Sequence, residues 1–70
     1  MSPKDIKIEV GRRIRTLREK AGWSQEELGF KSGLHRNYIG GIERGERNVA
    51  VVNLAKLAKA LAVRPRDLLP

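Results

Sequence analysis

The chain has no cysteine, a single histidine (His35), and only three aromatic residues and three prolines in 70 positions. Without cysteine there is no disulfide staple, and one histidine cannot build a Cys/His zinc site. No apolar run approaches the roughly 20 residues that cross a bilayer, and no signal-peptide pattern opens the chain. The expectation is a soluble, cytoplasmic protein with one domain over residues 1–70 and no membrane contact. Ordering such a chain costs on the order of 100 kcal/mol, at about 1.5 kcal/mol per residue. Its 40% apolar content can only just offset that sum. Stability is therefore expected from efficient helix packing, from a partner subunit, or from both.

What the chain has in excess is positive charge. Fifteen Lys and Arg against eight Asp and Glu leave +7, with an isoelectric point near 10.6. Arg outnumbers Lys nine to six, which favours forked donors suited to phosphates and base edges. Such a balance in a short chain points to a polyanionic partner. Membrane-surface binding fits less well, because the basic residues are dispersed and no segment sets a bulky aromatic face beside them.

Glycine and proline cut the chain into five pieces, all with helical patterning, over about 3–21, 25–32, 36–44, 51–62 and 65–69; the fold class is all-α. In the first piece Ile6, Val10, Ile14, Leu17 and Ala21 recur at three- and four-residue steps, one apolar stripe closed by Gly22. Ile8 lies off that stripe. Ser24 and Glu27 form a capping box, with Trp23 and Leu28 at the staple positions. The second helix turns Leu28, Gly29 and Ser32 inward, and the bare Gly29 admits close approach by another helix. Only Gly33, Leu34 and His35 separate it from the third, which is helix-turn-helix spacing. In the third helix Leu34, Ile39 and Ile42 mark the inner side, while Arg36, Asn37, Gly40, Gly41 and Arg44 point elsewhere. The fourth helix has one narrow polar stripe, Asn53, Lys56 and Lys59. So broad an apolar face predicts a central helix covered on more than one side.

Catalysis has no foothold. Ser24 and Ser32 suit a cap and a packing position, the carboxylates lie beside Lys or Arg, and no phosphate loop follows a strand. No catalytic residue, metal site or cofactor is expected. DNA has a stronger physical case. Arg36 and Asn37 stand near the start of the third helix, where Arg suits guanine and Asn suits adenine. Gly40 and Gly41 cost a helix about 2 kcal/mol together, tolerated where a DNA backbone, a base edge or a second helix must come close. Gln25 sits in a first turn whose free N–H groups attract an anion. Arg44 and Arg47 bracket the Gly45 turn as phosphate anchors, with Asn48 beside them; Arg44 could instead complement a helix C-terminus, whose dipole does not reach Arg47. The Tyr38 ring could pack, and its hydroxyl could reach outward.

The runs Ser24-Gln25-Glu26-Glu27-Leu28-Gly29, Ser32-Gly33-Leu34 and Tyr38-Ile39-Gly40-Gly41-Ile42-Glu43-Arg44-Gly45 resemble phage-repressor-type helix-turn-helix regulators, also called the xenobiotic-response-element family. The resemblance spans about Val10 to Leu69. Arg36-Asn37-Tyr38, Gly45-Glu46-Arg47-Asn48-Val49 and Pro65-Arg66-Asp67-Leu68 look most like controller proteins of restriction–modification systems. The resemblance implies a compact five-helix bundle that binds palindromic operators as a homodimer. It implies a phosphate clamp at Gln25 beside the Ser24 cap, base reading by Arg36 and Asn37, backbone contact near Tyr38, Gly40 and Gly41, and flanking contacts from Arg44, Arg47 and Asn48. The dimer contact it implies involves Leu61, Val63, Pro65, Leu68 and Leu69. His35 departs from the Ser, Thr or Asp that usually caps the recognition helix, leaving that start less rigid or the imidazole on DNA. Ala50 likewise replaces a capping residue of the fourth helix, at a cost of about 1 kcal/mol.

The expectation is thus a DNA-binding transcription regulator, not an enzyme, acting as a homodimer on double-stranded palindromic DNA, with RNA polymerase as a further partner and a nucleoid-associated location. The alternative with the same fold is a phage or plasmid repressor or an antitoxin. A protein-interaction module that binds no DNA is the reading from another class.

Overall fold

A computed structural model describes residues 1–70. Four α-helices, α1 (Pro3–Lys20), α2 (Gln25–Ser32), α3 (Arg36–Glu43) and α4 (Val51–Ala60), are followed by a single 3-10 turn, Pro65–Leu68. Five elements were expected and five are present, the last a 3-10 turn rather than an α-helix.

Each start follows from local chemistry. Ser2 Oγ accepts from the Asp5 amide, with Pro3 at the first helical position. The α2 capping box is complete: Glu27 N donates to Ser24 Oγ at 3.0 Å, and Ser24 N donates to Glu27 Oε1 at 3.1 Å. His35 caps α3, its Nδ1 accepting from Asn37 N at 2.9 Å. The missing hydroxyl cap is therefore replaced by an imidazole acceptor, which requires the neutral ring with its proton on Nε2. At α4, Ala50 makes no side-chain cap.

The helix ends share one device. Trp23 N bonds Arg18 O, Leu34 N bonds Gly29 O, Glu46 N bonds Gly41 O and Val63 N bonds Ala58 O, the closing bond of a Schellman motif in each case. The residue just before each donor is left-handed: Gly22, Gly33, Gly45 and, at the end of α4, Ala62 with φ +59°. That turn at Ala62 ends α4 at Ala60, short of the expected residue 62.

Val10, Ile14, Leu28, Ile39, Ile42, Leu54, Leu57, Ala58 and Leu68 form one core. The expected stripe on α1 is used through Val10, Ile14 and Leu17, while Ile6 is 38% exposed. The helix continues Gly11, whose bare Cα lies against α3: a Cβ there would stand 2.1 Å from Ile42 O. Ile8, off the stripe, packs onto the Gly45 turn instead. Gly29 admits the Leu34 carbonyl of the α2–α3 turn, 2.6 Å from where a Cβ would stand, and the start of α3, with Arg36 N at 3.4 Å and Ile39 Cδ1 at 3.6 Å.

Helix α4 corrects its expectation. Only Leu54, Leu57 and Ala58 are buried, and Val51 and Val52 are 82% and 65% exposed. It packs on α2 and the last turn, and the part of its broad apolar face that carries Val51, Val52 and Ala55 is left exposed. No helix is long and apolar enough to cross a membrane.

Candidate nucleic-acid interface

The site is built on α2, the Gly33-Leu34-His35 turn and α3. Burial of Leu28 against Ile39 and Ile42 fixes the two helices to each other, so the residues on their outer sides form one surface.

A buried polar hub underlies it. Glu43, with a side chain 3% exposed, receives Arg18 Nε at 2.7 Å and Arg18 Nη2 at 3.0 Å. Arg18 Nη1 also donates to Trp23 O at 2.8 Å. Hydrogen bonding to Glu43 raises the Arg18 pKa above its already high ordinary value, with burial opposing, so this charge persists at any ordinary pH. Gln25 Nε2 adds a third bond to Glu43 Oε1 at 3.0 Å. The Gln25 amide is thereby held at the α2 N-terminus by an ion pair that joins α1 to α3.

The exposed side chains of the surface are polar and mostly cationic. His35, Arg36 and Asn37 are exposed at the start of α3. Arg36 Nη1 meets the Glu26 carboxylate of α2, and Arg44 Nε meets Glu46 Oε1 at 3.1 Å. The Arg47 guanidinium stands 5.9 Å from the Tyr38 ring centroid. Tyr38 is held from the other side by Asn53 Nδ2, 3.2 Å from its hydroxyl. Its ring packs against the core and its hydroxyl accepts from α4, so both ends of this side chain have protein partners. Asn48 is exposed beyond the Gly45 turn, and Ser24 is engaged as the α2 cap.

Gly40 and Gly41 correct the expectation of an open outward face, because both are buried. Side chains cover them: Gln25 from helix α2 and Arg44 lie over Gly40, and Arg47 lies over Gly41. A Cβ on Gly40 would lie 3.1 Å from Arg44 Nη1 and 3.3 Å from Gln25 Oε1; one on Gly41 would lie 2.8 Å from Arg47 Cγ. The glycines are beds on which Gln25, Arg44 and Arg47 lie flat across the helix. Leu68, placed by the resemblance at a subunit contact, is also corrected: it is fully buried in the protomer's own core, because the 3-10 turn points it inward. Leu61 and Val63 are half-buried, and Pro65 and Leu69 are exposed.

Sequence patterning did not single out Phe30, which is 90% exposed on α2. It lines, with Glu26, Gly29, Leu34, His35 and Arg36, a shallow groove of about 350 Å³ at the α2–α3 junction. A lone aromatic on a short helix carries no periodicity, so only the packing reveals that it faces outward. Glu26 and Glu46 were also unmarked, because their guanidinium partners lie across a turn or on another helix. No three His, Cys, Asp or Glu residues are grouped to hold a metal ion.

Comparison with known proteins agrees with this architecture. A helix-turn-helix family profile matches residues 14–68. Control protein C.BamHI of Bacillus amyloliquefaciens is 48% identical over 66 residues, covering 93% of this chain and 82% of that protein. The crystal structure of the restriction-modification controller protein C.AhdI from Aeromonas hydrophila superposes with a TM-score of 0.86 at 55% identity, over 89% of this chain and 94% of the other. That of a hypothetical transcription factor, NHTF, from Neisseria reaches 0.90 at 37% identity, over all of this chain and 80% of the other.

Proposed function

We propose that this chain, which belongs to the helix-turn-helix family of DNA-binding transcription regulators and is similar to restriction–modification controller proteins, acts as a homodimer on a palindromic operator. The observation that carries the reading is the layered surface around α3, where four exposed side chains, His35, Arg36, Asn37 and Arg47, surround a helix whose Gly40 and Gly41 lie beneath Gln25, Arg44 and Arg47.

Helix α3 enters the major groove with its N-terminal end toward the bases. Arg36 donates to guanine O6 and N7, and Asn37 pairs with adenine N6 and N7. Gln25, fixed by Glu43, and the first free N–H groups of α2 meet one phosphate. Arg44, Arg47 and Asn48 meet the backbone on the far side, with Tyr38 bracing Arg47. Exchanging carboxylate and aromatic partners for phosphate lets Arg44 and Arg47 swing aside, so that the backbone comes close at Gly41 while Gln25 stays over Gly40. His35 caps α3 through Nδ1, and its exposed Nε2–H is left to donate toward the DNA.

The second subunit meets the side of α4 and the chain end that the protomer leaves uncovered. Leu61, Val63, Pro65 and Leu69 belong to it, joined by Val51 and Val52. Ile6, Val51 and Leu69 border one apolar groove of about 220 Å³, and exposed apolar surface of this kind marks an interaction face. Two-fold pairing there sets the recognition helices in successive major grooves, about 34 Å apart. A dimer upstream of a promoter recruits RNA polymerase, and one across the start site blocks it.

The deciding experiment is selection of duplexes from a random-sequence pool, followed by a salt titration on the selected and a scrambled duplex. The expected result is a palindromic consensus, bound with an affinity that falls steeply with salt. Absence of any preferred sequence would refute the reading.

A further inference from the structure

Two carboxylates stand among the cations of a surface expected to meet a polyanion. One of them, Glu26, touches the side chain assigned to reading guanine. We infer that Glu26 is a specificity-determining residue, holding Arg36 for a base edge and against the phosphate backbone; the inference rests on the DNA-binding reading above.

The geometry is particular. Glu26 is in the first turn of α2 and Arg36 opens α3, ten positions later. They meet across the α2–α3 junction, over the groove that Gly29, Phe30 and Leu34 also line. The contact uses Nη1 of Arg36. Nε and Nη2, which form the side-on fork of a guanidinium, remain free for the two acceptors of a guanine. Both side chains are largely exposed, at 60% and 71%, so the pair adds little to folding. The role that remains is at the surface itself.

Charge decides what the pair does there. An untethered Arg on a DNA-binding face is drawn to phosphates, which carry full charges on every sequence. With Glu26 on Nη1, the pair has no net charge, and a phosphate gains little from it. The hydrogen-bond fork survives, because guanine needs donors rather than charge. If Arg36 swings to a phosphate, Glu26 is stranded beside a polyanion. The carboxylate thus penalises sequence-independent contact more than base contact and widens the gap between them.

The test compares wild type, Glu26→Gln, Arg36→Ala and the double variant on the duplex that wild type selects and on a scrambled duplex. Circular dichroism checks that all four are folded. Glu26→Gln should bind the scrambled duplex more tightly and lower the selected-to-scrambled affinity ratio by about five- to tenfold, within the worth of one bidentate base contact. In the Arg36→Ala background the same change should leave that ratio unaltered. Wild type that selects no sequence defeats the functional reading itself. Wild type that selects one while Glu26→Gln discriminates equally well leaves that reading standing and overturns this inference, as does an unchanged effect of Glu26→Gln without Arg36.

Discussion

Gly11 of α1 and Ile42 of α3 meet backbone to backbone: the position of a Cβ on Gly11 lies 2.1 Å from the Ile42 carbonyl oxygen. Helix α3 carries the site, and this contact sets its distance from the longest helix in the protein. Replacing Gly by Ala inside a helix ordinarily gains about 1 kcal/mol of propensity. Here the partner atom is backbone and cannot rotate away, so the overlap should win. Gly11→Ala should lose about 2 kcal/mol or more net of that gain, read as a fall in Tm of about 8 °C or more for a domain of this size. A rise in Tm would disprove the crossing.

The Arg18–Glu43 pair gives a second prediction. Its side chains are 11% and 3% exposed, so removing one partner strands a buried charge. Arg18→Met should cost about 3–5 kcal/mol in urea unfolding, and adding Glu43→Leu should recover a large part of that loss. Purely additive losses would show that the two do not act as a unit. The double variant also frees the Gln25 amide, so its affinity for DNA should fall even where its stability is restored.

Leu68 and Leu69 are neighbours with opposite fates, one fully buried and the other 42% exposed. Leu68→Ala should destabilise the protomer by about 2–5 kcal/mol. Leu69→Asp should leave the fold intact and shift sedimentation toward the monomer, weakening operator binding. The reverse pattern would misplace the subunit contact.

Arg36→Ala should cost about 1–3 kcal/mol of operator affinity and relax preference at one base pair per half-site. An equal loss on every sequence would make Arg36 a phosphate anchor instead.

Ala62 takes the left-handed conformation, φ +59°, where the other three helix ends use glycine. A side chain there costs about 1–2 kcal/mol, against about 0.5–1 kcal/mol of extra chain entropy for glycine. Ala62→Gly should therefore raise stability by up to about 1 kcal/mol, measured as an upward shift in Tm without change in helix content.

Local signals were legible along the chain: the Ser2 and Ser24 caps, the glycine stops, the three-residue turn and the apolar steps through Val10 and Ile14 each act within one turn of backbone, so residue type and spacing suffice to define them. By the same logic Arg36, Asn37 and Arg47 could be assigned to an exposed surface from the chain alone. Packing decided the rest. Whether Gly40 and Gly41 lie open or under side chains depends on where Arg44, Arg47 and Gln25 fold back. The roles of Leu68 and Ala62 turn on one change of backbone hand after α4. The Arg18–Glu43 and Glu26–Arg36 pairs join residues 25 and 10 positions apart. Such contacts depend on how helices cross in space, and helical periodicity reports only which side of a helix is apolar, not what comes to rest against it.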